Sequence, residues 1–201
     1  MKQKHFIDSH KGATLPFVLL MMFLYDQWDN ATAWLYAATH GMYGIFWVLK
    51  SRTFGDKSWE QPCSPGYALV IWGSLSLYWI APWMIASQGI EAPGWVMGLC
   101  VATYSLGVFF HFTSDMQKHV KLQLQPGLIT TGLWSRSRNP NYFGELLIYA
   151  GFSGLAMHWI PFAALAMFVL SFWVPNMIRK DKSLSRYPEF AEYKSRSGLL
   201  F

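Results

Sequence analysis

Charged residues and cysteines are scarce in this chain of 201 residues. Only 13% of its residues are charged, about half the share found in ordinary soluble domains. The two cysteines, Cys63 and Cys100, provide neither metal-ligand spacing nor a disulfide framework, and we interpret them as small buried apolar residues. A soluble enzyme, a disordered tail and a disulfide-stapled secreted domain are therefore all disfavoured.

The abundant residues are apolar and aromatic. Hydrophobic residues make up 53% of the chain, which includes 11 Trp and 10 Tyr, and Trp and Tyr are enriched where membranes meet water. A membrane-crossing helix needs about 20 apolar residues. On that criterion the sequence predicts an all-α integral membrane protein with about six transmembrane helices, at Ala13–Tyr25, Ala31–Leu49, Gly66–Ser87, Gly94–Phe112, Tyr142–Ile160 and Pro161–Ile178.

The first of these segments has a second interpretation. Three lysines precede it and Ala31-Thr32-Ala33 follows it, an arrangement also found in cleaved signal peptides. Asp26, Gln27, Asp29 and Asn30 lie between the apolar run and that site. Because these polar residues make a poor cleavage context, we favour a retained span.

The placement of the basic residues predicts the orientation. With six spans, all 16 Lys and Arg fall on one side, in the N-terminus, the loops 50–65 and 113–141, and the tail 179–201. Basic residues concentrate on the cytosolic side of membrane proteins. The net charge of +5 is thus assigned to a membrane surface rather than to nucleic acid. The sequence predicts a multi-pass protein with both termini cytosolic, in a bacterial inner membrane or the endoplasmic reticulum.

A dense polar stretch, Thr131–Glu145, leads into the fifth predicted span. Asn139-Pro140 is typical of a helix start, since Asn is a favoured N-cap and Pro suits the first helical position. Arg136 and Arg138 lie just before it, so guanidinium groups and free backbone N–H groups form a potential anion site. A nucleotide phosphate fits such a site, and so does the phosphate of a lipid.

Three further features remain open at this point. Glu145 lies inside the fifth span on the face of Arg138, where a costly carboxylate is functional by default or a structural partner of that arginine. The tail residues Leu184, Tyr187, Phe190 and Tyr193 suit either an amphipathic foot on the bilayer or a segment folded back over the 113–141 loop.

The second span carries Tyr36, His40, Tyr43 and Trp47 at helical spacing, a pattern typical of packing and also able to offer hydrogen-bond donors to a substrate carbonyl. His111 and His119 flank the fourth span and are isolated in sequence, and no metal site is predicted.

The C-terminal part resembles a membrane superfamily. The run Thr131–Glu145 contains Gly132, Trp134, Arg138, Pro140, Asn141, Tyr142, Gly144 and Glu145, and a weaker tail pattern contains Arg179, Asp181, Tyr187, Pro188, Phe190 and Tyr193. Over residues 114–201 these motifs resemble the superfamily of steroid 5-alpha-reductases, sterol carbon-carbon double-bond reductases and isoprenylcysteine carboxyl methyltransferases. Among its branches, the chain looks most like small steroid-reductase-like membrane proteins.

The resemblance implies a single transmembrane domain in which residues 1–112 form substrate-side spans and residues 113–201 bind NADPH, with the cytosolic loop and the tail closing the pocket. It implies an oxidoreductase of lipid or steroid metabolism that reduces a carbon-carbon double bond in a steroid, sterol or polyprenyl enone entering from the bilayer. No protein or nucleic-acid partner is implied. The implied cofactor-binding residues are Asp115, Lys118, Trp134, Arg138, Asn141, Tyr142, Glu145, Arg179, Asp181, Tyr187 and Tyr193. Arg136 joins these candidates as part of the potential anion site.

The implied catalytic residues are Glu145 and Tyr142 near the nicotinamide, with Tyr43 and His40 as candidate donors to the substrate and Glu60 as a further one. The alternative is an S-adenosylmethionine-dependent methyltransferase. Against it, Asn139 replaces the His of that branch and Lys180-Asp181 replaces its acidic pair. A third hypothesis is a non-catalytic membrane protein with the same fold.

Overall fold

A computed structural model of the chain describes residues 1–200, and the fold is helical. The helices are α1 (Gln3–Leu24), α2 (Ala31–Tyr36), α3 (Met42–Phe54), α4 (Pro65–Leu75), α5 (Ile80–Gln88), α6 (Gly94–Leu124), α7 (Pro140–Gly154), α8 (Trp159–Phe168), α9 (Val174–Leu184) and α10 (Phe190–Arg196). Three continuous helical stretches in the described part are long and apolar enough to cross a membrane: Pro65–Gln88, Gly94–Leu124 and Trp159–Leu184.

Those three stretches contain three of the predicted spans, and two other predictions, the start of the 113–141 loop and the helical continuity of the fifth span, are wrong. The fourth span continues as helix to Leu124, so the first part of the predicted 113–141 loop is helical. The fifth ends at Gly154 rather than Ile160, and Met157 then adopts a positive φ of 50°. Hydropathy misses this turn because the residues on both sides of it are apolar.

The chain divides into two compact units. Unit 1 comprises Met1–Ala102 and Gly151–Ala164, and unit 2 comprises Thr103–Ala150 and Leu165–Phe201.

Unit 1 is built on the packing of α1 against α3. A Cβ at Gly44 would overlap the carbonyl oxygen of Lys11, so the two backbones approach as closely as only glycine allows. Thr14, Val18 and Met22 are buried on α1. The first predicted span is therefore the second half of a longer helix that forms part of the core.

Two π-helical turns interrupt the helices. Ala37–Gly41 joins α2 to α3 in unit 1, and Val169–Trp173 joins α8 to α9 in unit 2. A π-bulge inserts one residue into an α-helix and is frequent at functional sites. The first bulge contains His40 and the second contains Trp173.

Unit 2 rests on an equally close contact between α6 and α7. A Cβ on Gly107 would lie 2.7 Å from the carbonyl oxygen of Gly144, and one on Gly144 would lie 2.8 Å from the Cα of His111. All of these neighbours are backbone atoms, so the helices meet without intervening side chains. This contact sets the polar end of α6 beside the first turn of α7.

Candidate functional site

Four polar groups meet where α6 leaves its apolar segment beside the start of α7. His111, Ser114 and Asp115 are almost fully buried on α6. His111 Nδ1 lies 3.1 Å from the backbone oxygen of Asn141. Because a carbonyl oxygen can only accept, Nδ1 carries the proton. The other ring nitrogen, Nε2, lies 4.0 Å from a carboxylate oxygen of Asp115.

Asp115 also faces a cation at the rim of this cluster. Lys118 Nζ lies 3.7 Å from Asp115 Oδ1, and about a quarter of the lysine side chain is exposed. The carboxylate is thus flanked by an imidazole on the buried side and an ammonium group on the exposed side. The ammonium group of Lys118 offsets part of the cost of burying this carboxylate.

The Asn141 side chain contributes an open hydrogen-bonding position. Its Oδ1 atom is buried, and among the described residues nothing donates a hydrogen bond to it. Buried polar atoms are satisfied in the great majority of cases. A buried amide oxygen of this kind can accept an N–H or O–H group from a ligand.

An aromatic stripe lies on a second face of α7. The ring of Trp173, in the π-bulge, is 5.5 Å from that of Tyr142 and 6.1 Å from that of Tyr149, measured between centroids. Glu145 falls between the two tyrosines at helical spacing and is half-buried. The stripe therefore combines three π faces with one carboxylate.

The Trp134 side chain packs between α6 and α9 and contacts both helices. It is 3% exposed, its indole N–H donates to the backbone oxygen of Ser114 at 3.2 Å, and Lys180 Nζ lies 4.4 Å above its ring. The same ammonium donates to the backbone oxygen of Arg138 at 2.7 Å and to Asn139 Oδ1 at 3.0 Å. Lys180 thus ties α9 to the start of α7.

The guanidinium group of Arg138 is buried and bound to other parts of the chain, so it is not open to a ligand. Its Nε donates to both carboxylate oxygens of Asp181, at 3.1 and 3.0 Å, and its Nη1 donates to the backbone oxygens of Ser197 and Lys194. The alternative role of Glu145, as the structural partner of Arg138, belongs to Asp181 instead. Arg136, by contrast, is exposed.

The C-terminal tail folds back onto this region, which decides between the two interpretations of its apolar residues. Gly198 donates to the backbone oxygen of Arg136 at 2.8 Å and accepts from the backbone N–H of Arg138 at 3.0 Å. The Tyr193 hydroxyl donates to the backbone oxygens of Trp134 and Ser137, at 2.5 and 3.1 Å. Burial raises the pKa of Tyr193 to about 12, so this phenol stays protonated and donating across the physiological range.

The remaining candidate residues lie elsewhere. Arg179 donates to Asn176 Oδ1 at 2.5 Å on the exposed side of α9, and Tyr187 contacts Arg186 in the turn before α10. His40 and Tyr43 belong to unit 1. Unit 2 thus collects the other predicted site residues, with Asp115, Lys118, Trp134, Asn141, Tyr142 and Glu145 around the meeting of α6, α7 and α9.

In unit 1, His40 and Tyr43 are buried with defined partners. His40 Nδ1 and the Tyr36 hydroxyl are 2.7 Å apart, and the imidazole stacks on Phe152 with ring centroids 3.9 Å apart. Lys11 Nζ lies 4.5 Å above the Tyr43 ring. The predicted stripe therefore consists of two pairs: Tyr36 with His40, next to Phe152, and Tyr43 with Trp47, next to Lys11.

Glu60 does not fit the role of a proton donor. Lys2 and Lys4 both donate hydrogen bonds to its carboxylate. These bonds lower the pKa of Glu60 to about 2, so the group is ionised at neutral pH.

His111 is the site residue that the sequence reasoning missed. It looked isolated because its partner Asn141 lies on another helix. The spacing of His111 and Asp115, four residues apart in a helix, was the available signal, since such pairs share a helix face.

The fold and the site define an all-helical protein with membrane-spanning character and a buried polar cluster in its C-terminal half. Residues 67–197 match the model of the DUF1295 family, described as a protein of unknown function. The chain belongs to this family, which is part of the steroid 5-alpha-reductase-like group. No curated protein matches the chain.

Proposed function

We propose that this protein is a membrane-embedded, NADPH-dependent reductase that saturates a carbon-carbon double bond in a lipid enone of the steroid, sterol or polyprenyl class. The observation that carries the proposal is the open, buried Asn141 amide oxygen beside the His111–Asp115 pair, in a chain of the steroid 5-alpha-reductase-like group. That combination fits a polar cofactor bound at the end of a membrane domain.

Six spans with both termini in the cytosol form part of the proposal. The supporting observation is the distribution of exposed tryptophans at the helix ends opposite the basic residues, where no Lys or Arg occurs in the sequence. Tryptophans enriched at one membrane interface and lysines at the other agree with this topology. The exposed tryptophans are Trp28, Trp34, Trp83, Trp95 and Trp159.

The residues of unit 2 fit the polar groups of NADPH. Asn141 Oδ1 accepts a hydrogen bond from an amide or a ribose hydroxyl, and Lys118 and the exposed Arg136 attract phosphate. Arg138 and Asp181 support the pocket by holding the tail, since their charges already neutralise each other. When bound, NADPH supplies the hydride that reduces the double bond.

The chain's own groups orient the cofactor and manage the proton. In this proposal, Glu145 and Tyr142 hold the amide end of the nicotinamide. Tyr43 and the hydrogen-bonded Tyr36–His40 pair are the candidate donors that would polarise the substrate carbonyl, because a donor at that oxygen stabilises the developing enolate. The phenol of Tyr36 and the imidazole of His40 can pass a proton along their shared 2.7 Å hydrogen bond.

One observation favours the methyltransferase as the second candidate. Aromatic rings attract cations, and a neighbouring carboxylate adds to that attraction. The stripe of Tyr142, Glu145, Tyr149 and Trp173 would therefore also suit the sulfonium group of S-adenosylmethionine.

Cofactor binding by the purified protein in detergent tests the proposal. Energy transfer from tryptophan to NADPH reports one cofactor, and calorimetry reports S-adenosylmethionine in parallel. We expect saturable NADPH binding that Asn141→Ala weakens by about three- to tenfold, the value of one hydrogen bond, while the control Gln125→Ala, at an exposed position, leaves it unchanged. Binding of S-adenosylmethionine alone would favour the second candidate, and binding of neither would refute both.

Glu145→Gln then separates catalysis from structure. We expect enone reduction to fall sharply while expression and thermal stability change little, because the substitution keeps the shape and removes the charge. Glu192→Gln, at an exposed position of α10, is the matched control. Collapse of expression in Glu145→Gln alone would identify Glu145 as a structural residue and contradict the assignment.

A further inference from the structure

Unit 1 contains an open cleft of about 580 Å³ between the first turns of α1 and α4. Its walls include Met1, Phe6, Ala68, Leu69 and Trp72. Cys63 also lines it and is partly exposed, so the sequence-based expectation of a buried side chain is wrong for Cys63 and correct for Cys100. The volume lies within the range of small-molecule sites. This cleft is separate from the polar cluster of unit 2.

The walls of the cleft are predominantly apolar. The one polar atom of the Trp72 side chain donates to Ser9 Oγ at 3.0 Å, and the backbone N–H of Cys63 donates to the backbone oxygen of Met1 at 2.9 Å. Because these groups already have partners, a ligand gains nothing by offering polar atoms inside the cleft. An aliphatic chain fits it on hydrophobic grounds alone.

The cleft opens where a spanning stretch begins. Pro65 is the first residue of the stretch Pro65–Gln88. Leu69 and Val70, one turn further, are 75% and 60% exposed. Large apolar side chains exposed to this degree on a spanning helix face lipid tails, so the cleft lies at the depth where acyl chains begin.

A positive cluster lies beside the mouth of the cleft. Lys2 follows the wall residue Met1, and its Nζ lies 2.5 Å from Glu60, which also binds Lys4. Two ammonium groups on one carboxylate leave one excess positive charge. The pKa of Glu60, about 2, keeps that carboxylate ionised at neutral pH, so the cluster attracts an anion.

We propose that this cleft binds an anionic phospholipid, with an acyl chain against Phe6, Leu69 and Trp72 and its phosphate beside Lys2 and Lys4. The site goes beyond the proposed reductase activity and does not depend on it. Anionic lipid headgroups are attracted to lysines at a membrane surface by about fivefold in affinity for each lysine.

The thiol of Cys63 reports occupancy of the cleft. The experiment measures its alkylation rate by mass spectrometry in the full-length protein, reconstituted in phosphatidylglycerol or in phosphatidylcholine vesicles with identical acyl chains. Gly66→Cys with Cys63→Ser is the matched control, because a Cβ at Gly66 meets nothing within 4 Å and the position lies outside the cleft. The ratio of the Cys63 rate to the control rate removes the effect of surface pH on thiol reactivity.

We expect this ratio to be about fivefold lower in phosphatidylglycerol than in phosphatidylcholine. Lys2→Gln abolishes the excess charge of the cluster and should remove the difference between the lipids. Lys57→Gln, at an exposed position near Glu60 but outside the cluster, should preserve the difference between the lipids. Equal ratios in the two lipids, or a difference that survives Lys2→Gln, would overturn the proposal.

Discussion

The close approach of α6 and α7 makes Gly144→Ala a sharp test of the site's architecture. The added methyl group would lie 2.7 Å from the carbonyl oxygen of Gly107 and 2.8 Å from the Cα of His111, where ordinary contact begins at 3.4 Å. Backbone atoms cannot rotate away as a side chain does, and the backbone nitrogen of His111 lies closer still, so the helices must separate by at least about 0.7 Å. Overpacking of this kind costs about 1–3 kcal/mol.

The same displacement should open the polar cluster. Adding it to the 3.1 Å separation of His111 Nδ1 and the Asn141 backbone oxygen takes this pair beyond hydrogen-bonding distance. Gly144→Ala should therefore weaken NADPH binding as well as stability. A loss of stability with unchanged NADPH affinity would show that the His111–Asn141 contact does not shape the cofactor site.

Thermal unfolding in detergent measures the stability effect, with about 2–4 °C expected for each kcal/mol. Gly98→Ala is the matched control, because it lies on α6 at a position where a Cβ meets nothing within 4 Å. Alanine in such a helical position should stabilise the protein by about 0.5–1 kcal/mol. The same substitution is thus expected to have opposite signs at the two sites, and a Gly144→Ala protein as stable as the wild type would refute the reasoning.

Two further predictions concern ion pairs. Arg138→Ala leaves the buried Asp181 without its partner and should destabilise the protein by about 3–5 kcal/mol, measured as a large fall in melting temperature. Arg136→Ala, at an exposed position, should leave the melting temperature unchanged. Equal effects of the two substitutions would contradict the structural role of Arg138. Because Lys2 and Lys4 lower the pKa of Glu60 to about 2, its contribution to stability is complete above about pH 4.5 and is lost as the pH falls through 2. Glu60→Gln should therefore flatten the melting temperature over that interval, and an unchanged acid profile would speak against the triad.

Local chemistry made several elements predictable from the sequence. Asn139-Pro140 predicted the start of α7, and the structure begins that helix at Pro140. The predicted role of the Asn139 side chain as a cap differs from its contacts, which run to Lys180 and to the backbone oxygen of Leu199. A sequence pattern can indicate that a residue precedes the start of a helix without revealing which distant segment arrives to bind it.

Features that depend on tertiary contacts were not predictable in this way. Polarity suggested a loop after Phe112, but α6 continues because His111, Ser114 and Asp115 find a buried environment against α7 and Trp134. The position of Asp181 opposite Arg138 likewise depends on the return of the tail. Neither contact leaves a periodic signal in the sequence.

The π-turn Ala37–Gly41 has a consequence for changes in chain length. Removing one residue from it should restore a regular α-helix with little rotation of the side chains beyond it, because the wide π-turn takes up its extra residue locally. Gly44 would then still face the Lys11 carbonyl oxygen. Removing one residue from the regular helix α2 would instead turn α3 by about 100° relative to α1, and that close contact would be lost although no residue in it had been substituted. A one-residue gap should therefore be better tolerated within the π-turn than in the regular helix before it.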